Sequence, residues 1–341
     1  MMKKLVLIIT ALMTCMVVGA AEKITVTVVY SGTMATVSIP ESAEQYVTCS
    51  SGTDSHVRIE QLLTKDNNPT EIEVTYDLSG ESNDGGFYMK GEYKCTISLN
   101  GVSLTNPIGP AIEIENGKRI KVAAVEKTEN TLIDGSDGSW KACLYGTGHF
   151  EFVQKGTLNV TGNTAHAISC KEYIQFKNQT LNINGAVKDG IHCKQYFWMQ
   201  KAGKITISNA ADDGIQVELV DEEAYTGQLP DHEDVDENGE DFDENSGNAY
   251  LDDGTLSIKD FGKNAIKVDG EVVINGGTQD YDATAVKESH KTATGIGASL
   301  MNSEEVNSEA LYDLNGHQVK HQTKGITIIK NGSDTKKVII K

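Results

Sequence analysis

Proline and cysteine are both scarce in this chain, at 5 and 6 of 341 residues. So few prolines leave long stretches free to pair their backbone N–H groups, and 33 glycines supply corners instead. The cysteines, Cys15, Cys49, Cys95, Cys143, Cys170 and Cys193, are widely and irregularly spaced, which argues against a small disulfide-framed scaffold. Basic residues are short too: 30 Lys and Arg face 49 Asp and Glu, for a net charge of -19. Such a surface argues against nucleic acid as a partner, because that binding rests on neutralising phosphates with Lys and Arg. After residue 20 no apolar run approaches the roughly 18 to 20 residues that a membrane-spanning helix needs, so no transmembrane segment is expected. Helical periodicity, Cys-x-x-Cys pairs, a phosphate-cradling glycine loop, a zinc motif and a Ser, His and Asp set with a nucleophile elbow are all missing.

What is present begins at the two ends. Lys3 and Lys4, an apolar run from Leu5 to Val18, and then Gly19, Ala20 and Ala21 follow the order of a secretory signal peptide over residues 1–20. The mature chain is then expected to be secreted or held at the cell surface, and loss of Lys3 and Lys4 takes its charge from -19 to -21. Cys15 follows Leu12, Met13 and Thr14, a poor match to a lipid-acceptor site. Residues 311–341 contain Leu-Tyr-Asp-Leu-Asn-Gly-His, Lys-Gly-Ile-Thr-Ile-Ile and Lys-Lys-Val-Ile-Ile-Lys, short alternating runs that predict a small antiparallel β module. These residues resemble the C-terminal sorting domain of type IX secretion substrates, with Thr327 where that family usually has Tyr.

The middle of the chain repeats. Ala111-Ile112, Cys143-Leu144, Ala167-Ile168, Gly190-Ile191, Gly214-Ile215 and Ala265-Ile266 fall in one column, with the branched residues 32, 24, 23, 24 and 51 apart. A second column runs through Thr157-Leu-Asn-Val, Thr180-Leu-Asn-Ile, Lys204-Ile-Thr-Ile and Thr255-Leu-Ser-Ile. A third, looser column holds Phe150 and Phe152, Ile174 and Phe176, Phe197 and Met199, then Val273. Each turn thus offers three short β-runs, and alternation sends every second side chain inward. One turn cannot bury that inner face alone, so turns of 23–24 residues should stack about 4.8 Å apart. The expected fold is all-β, a right-handed parallel β-helix over residues 93–283. An N-terminal β layer or cap (21–92) should precede it, and a linker (284–310) should lead to the C-terminal module (311–341). A β-sandwich is the rival, but the tight two-residue hairpin turns it needs are absent. Cys170, Cys193, Val217 and Val268 share a column and should lie inside, the cysteines as free thiols.

An acidic insertion, 221–248, interrupts the last interval, with twelve acids and no Lys or Arg between Asp221 and Glu244. Within it Asp234, Asp236 and Asn238, followed by Gly239, open like a calcium loop. The closing glutamate is missing, because Asn245 stands at the twelfth position, so a solvated acidic loop is the alternative. At the corner before the Gly-Ile column, stacking sets Asp189 and Asp213 about one rung apart with Asp212 beside them. Carboxylates converging there suit a hard cation such as calcium, although Asp before Gly is also ordinary turn chemistry. Tyr173, Tyr196 and Trp198 alternate with inward residues and so should face outward, as a platform for sugar rings or as side chains covered by another segment. Lys188 at the corner, with His192 and Gln216 after the Ile column, could hydrogen-bond hydroxyls or a carboxylate. Cleavage has thinner support: a lyase needs a base beside calcium, for which Lys188 and Lys201 are available, and Asp189 with Asp213 is the pair to test for glycoside hydrolysis.

Leu99-Asn-Gly-Val-Ser-Leu, Gly109-Pro-Ala-Ile, Thr128-Glu-Asn-Thr-Leu-Ile-Asp-Gly, Gly156-Thr-Leu-Asn-Val, Asp189-Gly-Ile-His and Asp212-Asp-Gly-Ile together resemble a bacterial carbohydrate-binding β-helix family of pectate-lyase-like shape, over residues 95–282. The resemblance implies calcium in the scaffold, and binding of plant or acidic polysaccharide such as polygalacturonate without established cleavage. By position it puts calcium on Asp189, Asp212 and Asp213. His166 and Asn264 stand where that column would carry aspartate, which leaves the number of ions open, and the sequence leaves the oligomeric state open as well. A polysaccharide lyase and a surface adhesin are the alternative functions.

Overall fold

The computed structural model describes residues 23–68, 71–220 and 245–291, together with the C-terminal strands between 310 and 340. Residues 1–20 and the Asp234, Asp236 and Asn238 loop lie outside the described residues. The described chain is all-β, its helical content limited to the short 3-10 turns Glu41–Ala43 and Ala283–Ala285. Two units are distinct, residues 1–295 and 296–341.

The larger unit is a coil of parallel strands, β-helix-like, with three faces. On the first face Gly86–Lys90, Ile112–Glu115, Ala142–Gly146, His166–Cys170, Ile191–Lys194, Ile215–Glu218, Ile266–Val268 and Val286–Glu288 follow in order. The pairs Ile112 with Leu144, Leu144 with Ile168, Ile168 with Ile191, Ile191 with Ile215 and Ile215 with Ile266 are all in register. The first sequence column is therefore a physical column. The third face stacks Thr157, Thr180, Lys204 and Thr255 in the same way. On the second face Phe150, Ile174, Phe197 and Ala249 stack. There the next partner of Ala249 is Val272, while Val273 pairs with Tyr250 in the outward row, so the sequence alignment was one residue off at the last turn.

The coil starts earlier and ends later than residues 93–283. Lys23–Ser31 pairs in parallel with Glu73–Ser82, which pairs in parallel with Cys95–Asn106, and His56–Gln61 joins the first face through Gly86–Lys90. Cys95–Asn106 is long because its first half pairs with Ile120–Ala124 and its second half with Glu129–Asp134. The second and third faces thus share one uninterrupted strand there and separate only when a corner, with Lys127 at φ 67, enters the next turn. At the far end Val286–Glu288 adds a strand beyond residue 283.

Alternation builds the core. Leu158, Val160, Leu181, Ile183, Ile205 and Ile207 on the third face are fully buried, opposed by Ile168, Ile191 and Ile215 on the first. Each such side chain contributes roughly 1.5–3 kcal/mol relative to leaving it in water. The small residues of the first column follow from space: a Cβ added to Gly190 would lie 2.7 Å from both the Gly214 carbonyl oxygen and Ile207 Cγ2. Cys95, Cys143, Cys170 and Cys193 are buried free thiols, and Cys193 pairs with Val217 in the expected column.

The smaller unit contains Ala310–Tyr312, Gln318–Val319, Gly325–Asn331 and Asp334–Ile340 in one four-stranded sheet whose pairings are all antiparallel.

Candidate functional site

The corner between the third and first faces carries a ladder of side chains. His166, Asp189, Asp213 and Asn264 occupy equivalent places on four successive turns. Asp189 Oδ1 accepts the backbone N–H of Asp213 at 3.0 Å, and Asp213 Oδ1 accepts the backbone N–H of Asn264 at 3.0 Å and its side-chain amide at 2.6 Å. Each aspartate satisfies a backbone donor that the corner removes from the sheet, which is the turn chemistry expected of Asp before Gly. That accounts for one oxygen of each carboxylate.

The second oxygens face other company. Asp189 Oδ2 meets His166 Nδ1 at 3.1 Å. Asp213 Oδ2 is buried and has no hydrogen-bond partner; the Lys267 ammonium is 3.6 Å away. Asp212 is half-buried; its Oδ2 accepts from the Lys263 ammonium at 2.9 Å, and its Oδ1 lies 2.8 Å from the same ammonium without a hydrogen bond. Carboxylate oxygens of Asp189, Asp212 and Asp213 lie within 4.8 Å of one another, the only such acidic cluster among the described residues. At that separation two carboxylates repel by about 3 kcal/mol at an effective dielectric of roughly 20, so the cluster needs positive charge. Lys263 and Lys267 provide part of it. Burial lowers the basicity of His166, against the opposing hydrogen bond from Asp189.

An all-oxygen donor set with two buried oxygens that lack hydrogen bonds, Asp212 Oδ1 and Asp213 Oδ2, fits a hard cation such as calcium, and does not fit a thiophilic metal. Lys188 is exposed and sits in the same corner column as Asp212 and Lys263, joined to Asp212 through a backbone bond of 3.1 Å. Lys201 is on a different corner, between the second and third faces, and is not brought to the cluster. Sequence reasoning missed Lys263 and Lys267, although both were legible: Lys263 precedes Asn264 in the corner column, and Lys267 is in register with Gln216.

His192 and Gln216 are adjacent in the outward row of the first face and converge on Glu218. His192 Nε2 lies 3.4 Å from Glu218 Oε2, Gln216 Nε2 donates to Glu218 Oε1 at 2.5 Å, and Lys194 pairs with the same carboxylate. The His192 hydrogen bond, with Lys194, holds Glu218 far below the usual carboxylate range.

The tyrosines correct the sequence picture of an open platform. Tyr173 and Tyr196 are on adjacent turns as expected, but they are 2% and 3% exposed. Tyr173 is sandwiched between His149, at a ring separation of 4.1 Å, and Tyr196, at 4.4 Å. Both faces of Tyr173 are occupied, because identical register on successive rungs brings rings to stacking distance. Trp198 is half-buried, packs edge-on to Tyr196 and donates its indole N–H to Asp252 Oδ2 at 2.6 Å.

Comparison with known proteins agrees with this architecture. A sequence profile of carbohydrate-binding domain-containing proteins matches residues 67–335. No curated protein matches the chain. Among solved structures, a polysaccharide lyase-like protein from C. thermocellum, solved as a gadolinium derivative, is similar to this chain with a TM-score of 0.52 and 18% identity, covering 78% of this chain and 100% of that one. That likeness supports the fold, and the profile match spans most of the chain: this protein belongs to the family of carbohydrate-binding domain-containing proteins.

Proposed function

We propose that this protein is an extracellular, calcium-assisted binder of polysaccharide, with acidic, uronate-containing glycans as its preferred ligands. The observation that carries the reading is the Asp189, Asp212 and Asp213 cluster, in which Asp213 Oδ2 is buried without a hydrogen bond. Asp189 and Asp213 would hold the ion by their outer oxygens and Asp212 would complete the set on the exposed side. The bound ion would supply a positive charge that a uronate carboxylate can share, on a protein whose own charge of -19 would otherwise repel it. Lys263 and Lys267 assist by offsetting the cluster's charge, and Lys188 is placed to meet an anionic group arriving at the same corner. The acidic loop carrying Asp234, Asp236 and Asn238 is a second candidate for calcium. The coil is right-handed, as parallel crossovers are in nearly all folds. Residues 1–20 would direct export, and the C-terminal antiparallel unit would serve as a sorting module.

A glycan array run with calcium and with EDTA tests this. Calcium-dependent retention of polygalacturonate supports it, and retention unchanged by EDTA rejects the metal's part. A polysaccharide lyase is the second reading, favoured by the lysine column beside Asp212. It requires unsaturated, near-ultraviolet-absorbing products from polygalacturonate with calcium, and their absence with retained binding rejects it.

A further inference from the structure

The regular coil is broken at two early corners. Between the third and first faces later turns use residues 163–165, 187–190 and 211–214, whereas the turn before Ala142–Gly146 uses residues 135–141 and the one before that residues 107–111. The loop 135–141 accounts for four of the eight residues by which the 32-residue interval from Ile112 to Leu144 exceeds the next interval of 24. Insertions on a rigid scaffold are where binding groups concentrate.

The two loops and the start of the first face enclose a cleft of about 230 Å³, whose lining includes Arg58, Tyr88, Ile108, Pro110, Glu113 and Trp140. Its walls are held in place before any ligand arrives. Asn106, itself buried, donates to the Pro110 carbonyl at 2.6 Å and accepts from the Ile108 N–H at 3.2 Å, fixing the first loop. The Trp140 indole donates to Asp134 Oδ2 at 2.6 Å, fixing the second. Tyr88 donates its hydroxyl to Glu115 at 2.8 Å, and the Arg58 guanidinium rests 4.9 Å from the centre of its ring. Ile108 is 73% exposed at the rim, an apolar side chain that the core does not use.

Two charged groups of the cleft carry no hydrogen bond within the protein. Arg58, Tyr88 and Glu113 are consecutive in one outward row. Glu113 is half-buried, and burial followed by the nearby Glu115 pushes its carboxyl above the usual range. Among the described residues neither the Arg58 guanidinium nor the Glu113 carboxylate has a hydrogen-bond partner within the protein, and both remain accessible to a ligand. One donor and one acceptor of opposite charge suit adjacent sugar hydroxyls, which both accept and donate, while aromatic and aliphatic walls suit the C–H face of the ring. A uronate is disfavoured, because its carboxylate would face Glu113 and Glu115. The volume is below the usual range for drug-sized ligands, about 300–1,000 Å³, and suits a single ring.

We infer that this cleft is a second glycan subsite, which takes one neutral pyranose ring between Trp140, Tyr88 and Ile108 with hydroxyls on Arg58 and Glu113, and which needs no metal. The inference rests on the carbohydrate-binding reading. The outward row places Glu113 three rungs from His192, about 14 Å from the turn of Asp189, so the two sites are separable.

Calorimetric titration of the full chain tests it, in EDTA, with neutral hexasaccharides of gluco, manno, galacto and xylo configuration, and in calcium with polygalacturonate. The expected result is binding of at least one neutral hexasaccharide in EDTA, weakened tenfold or more by Trp140→Ala and fivefold or more by the near-isosteric Glu113→Gln, with polygalacturonate binding retained in both variants. Neutral binding that either variant leaves intact overturns the subsite. Polygalacturonate binding with no neutral binding overturns the subsite alone. Failure of the wild-type protein to bind either class overturns both the subsite and the proposed function.

Discussion

Asp213 donates its backbone N–H to Asp189 Oδ1 at 3.0 Å, across one turn of the coil. The same side chains that we propose hold a cation by their outer oxygens therefore also hold the corner together, and the two duties are separable by substitution.

Asp213→Asn keeps an acceptor for the Asn264 N–H and removes the charge. It should melt close to wild type in EDTA and lose the calcium-dependent rise in Tm, which reflects a stabilisation of about 2.7 kcal/mol when calcium is at 100 times its Kd. Asp213→Leu leaves that N–H unsatisfied and should lose a further 1–3 kcal/mol, roughly, with or without calcium. Thermal melts in calcium and in EDTA check both.

Tyr173→Ala should cost stability and not affinity. Its ring lies between His149 and Tyr196 and is 2% exposed, so removing it opens a gap costing about 3–5 kcal/mol, the range for a buried aromatic. Denaturant midpoints should fall while the glycan isotherm of the folded fraction stays unchanged. A lost isotherm with an unchanged midpoint would restore the platform reading.

Gly190→Ala should destabilise by roughly 1–3 kcal/mol, because the added Cβ meets the Gly214 carbonyl and Ile207 at 2.7 Å. The equivalent place one turn earlier already carries Ala167, so the cost belongs to the local approach of the strands and should be absent in an Ala167→Gly control, whose loss is one of packing alone.

Acid should weaken the first face through Glu218. Its carboxyl is held below the usual range by His192 and Lys194, so the folded state binds its proton less readily than the unfolded chain. That contribution is fully present above the unfolded value, near pH 4.3, and is lost as pH falls below it toward the depressed folded value. Wild type and Glu218→Gln should therefore differ most in Tm near neutrality and converge at low pH. A constant gap would assign the effect to packing.

Among the described cysteines only Cys49 is partly exposed, and burial pushes Cys95 up to about 12. Thiol reagents should label Cys49 in the native protein and reach Cys95, Cys143, Cys170 and Cys193 only on unfolding. Native labelling of any of the four would show that the coil opens there.

The columns that end on Ile112, Leu144, Ile168, Ile191, Ile215 and Ile266 were legible because each must repeat once per turn to keep one apolar seam, and no later folding step can shift them without turning every side chain over. The same rule made Asp189 and Asp213 neighbours on paper. At the N-terminus it failed: Arg58, Tyr88 and Glu113 also share a row, but irregular spacings hid it, and residues that stack in space looked like a separate cap. Val273 was misplaced for a related reason, since two adjacent valines offer no alternation to choose between.

Periodicity by itself determined the β class, the three faces, the buried thiols and the acidic corner, because one-dimensional spacing is all that a stack of equal turns requires. Tertiary structure alone decided exposure and partnership. Tyr173 and Tyr196 point away from the core, yet their rings cover one another. Lys263 and Lys267 reach the carboxylates from the following turn. The cleft beside Trp140 exists only where two enlarged corners meet. Spacing records which way a side chain leaves the backbone, while what it meets depends on the separation of chains that sequence distance does not encode.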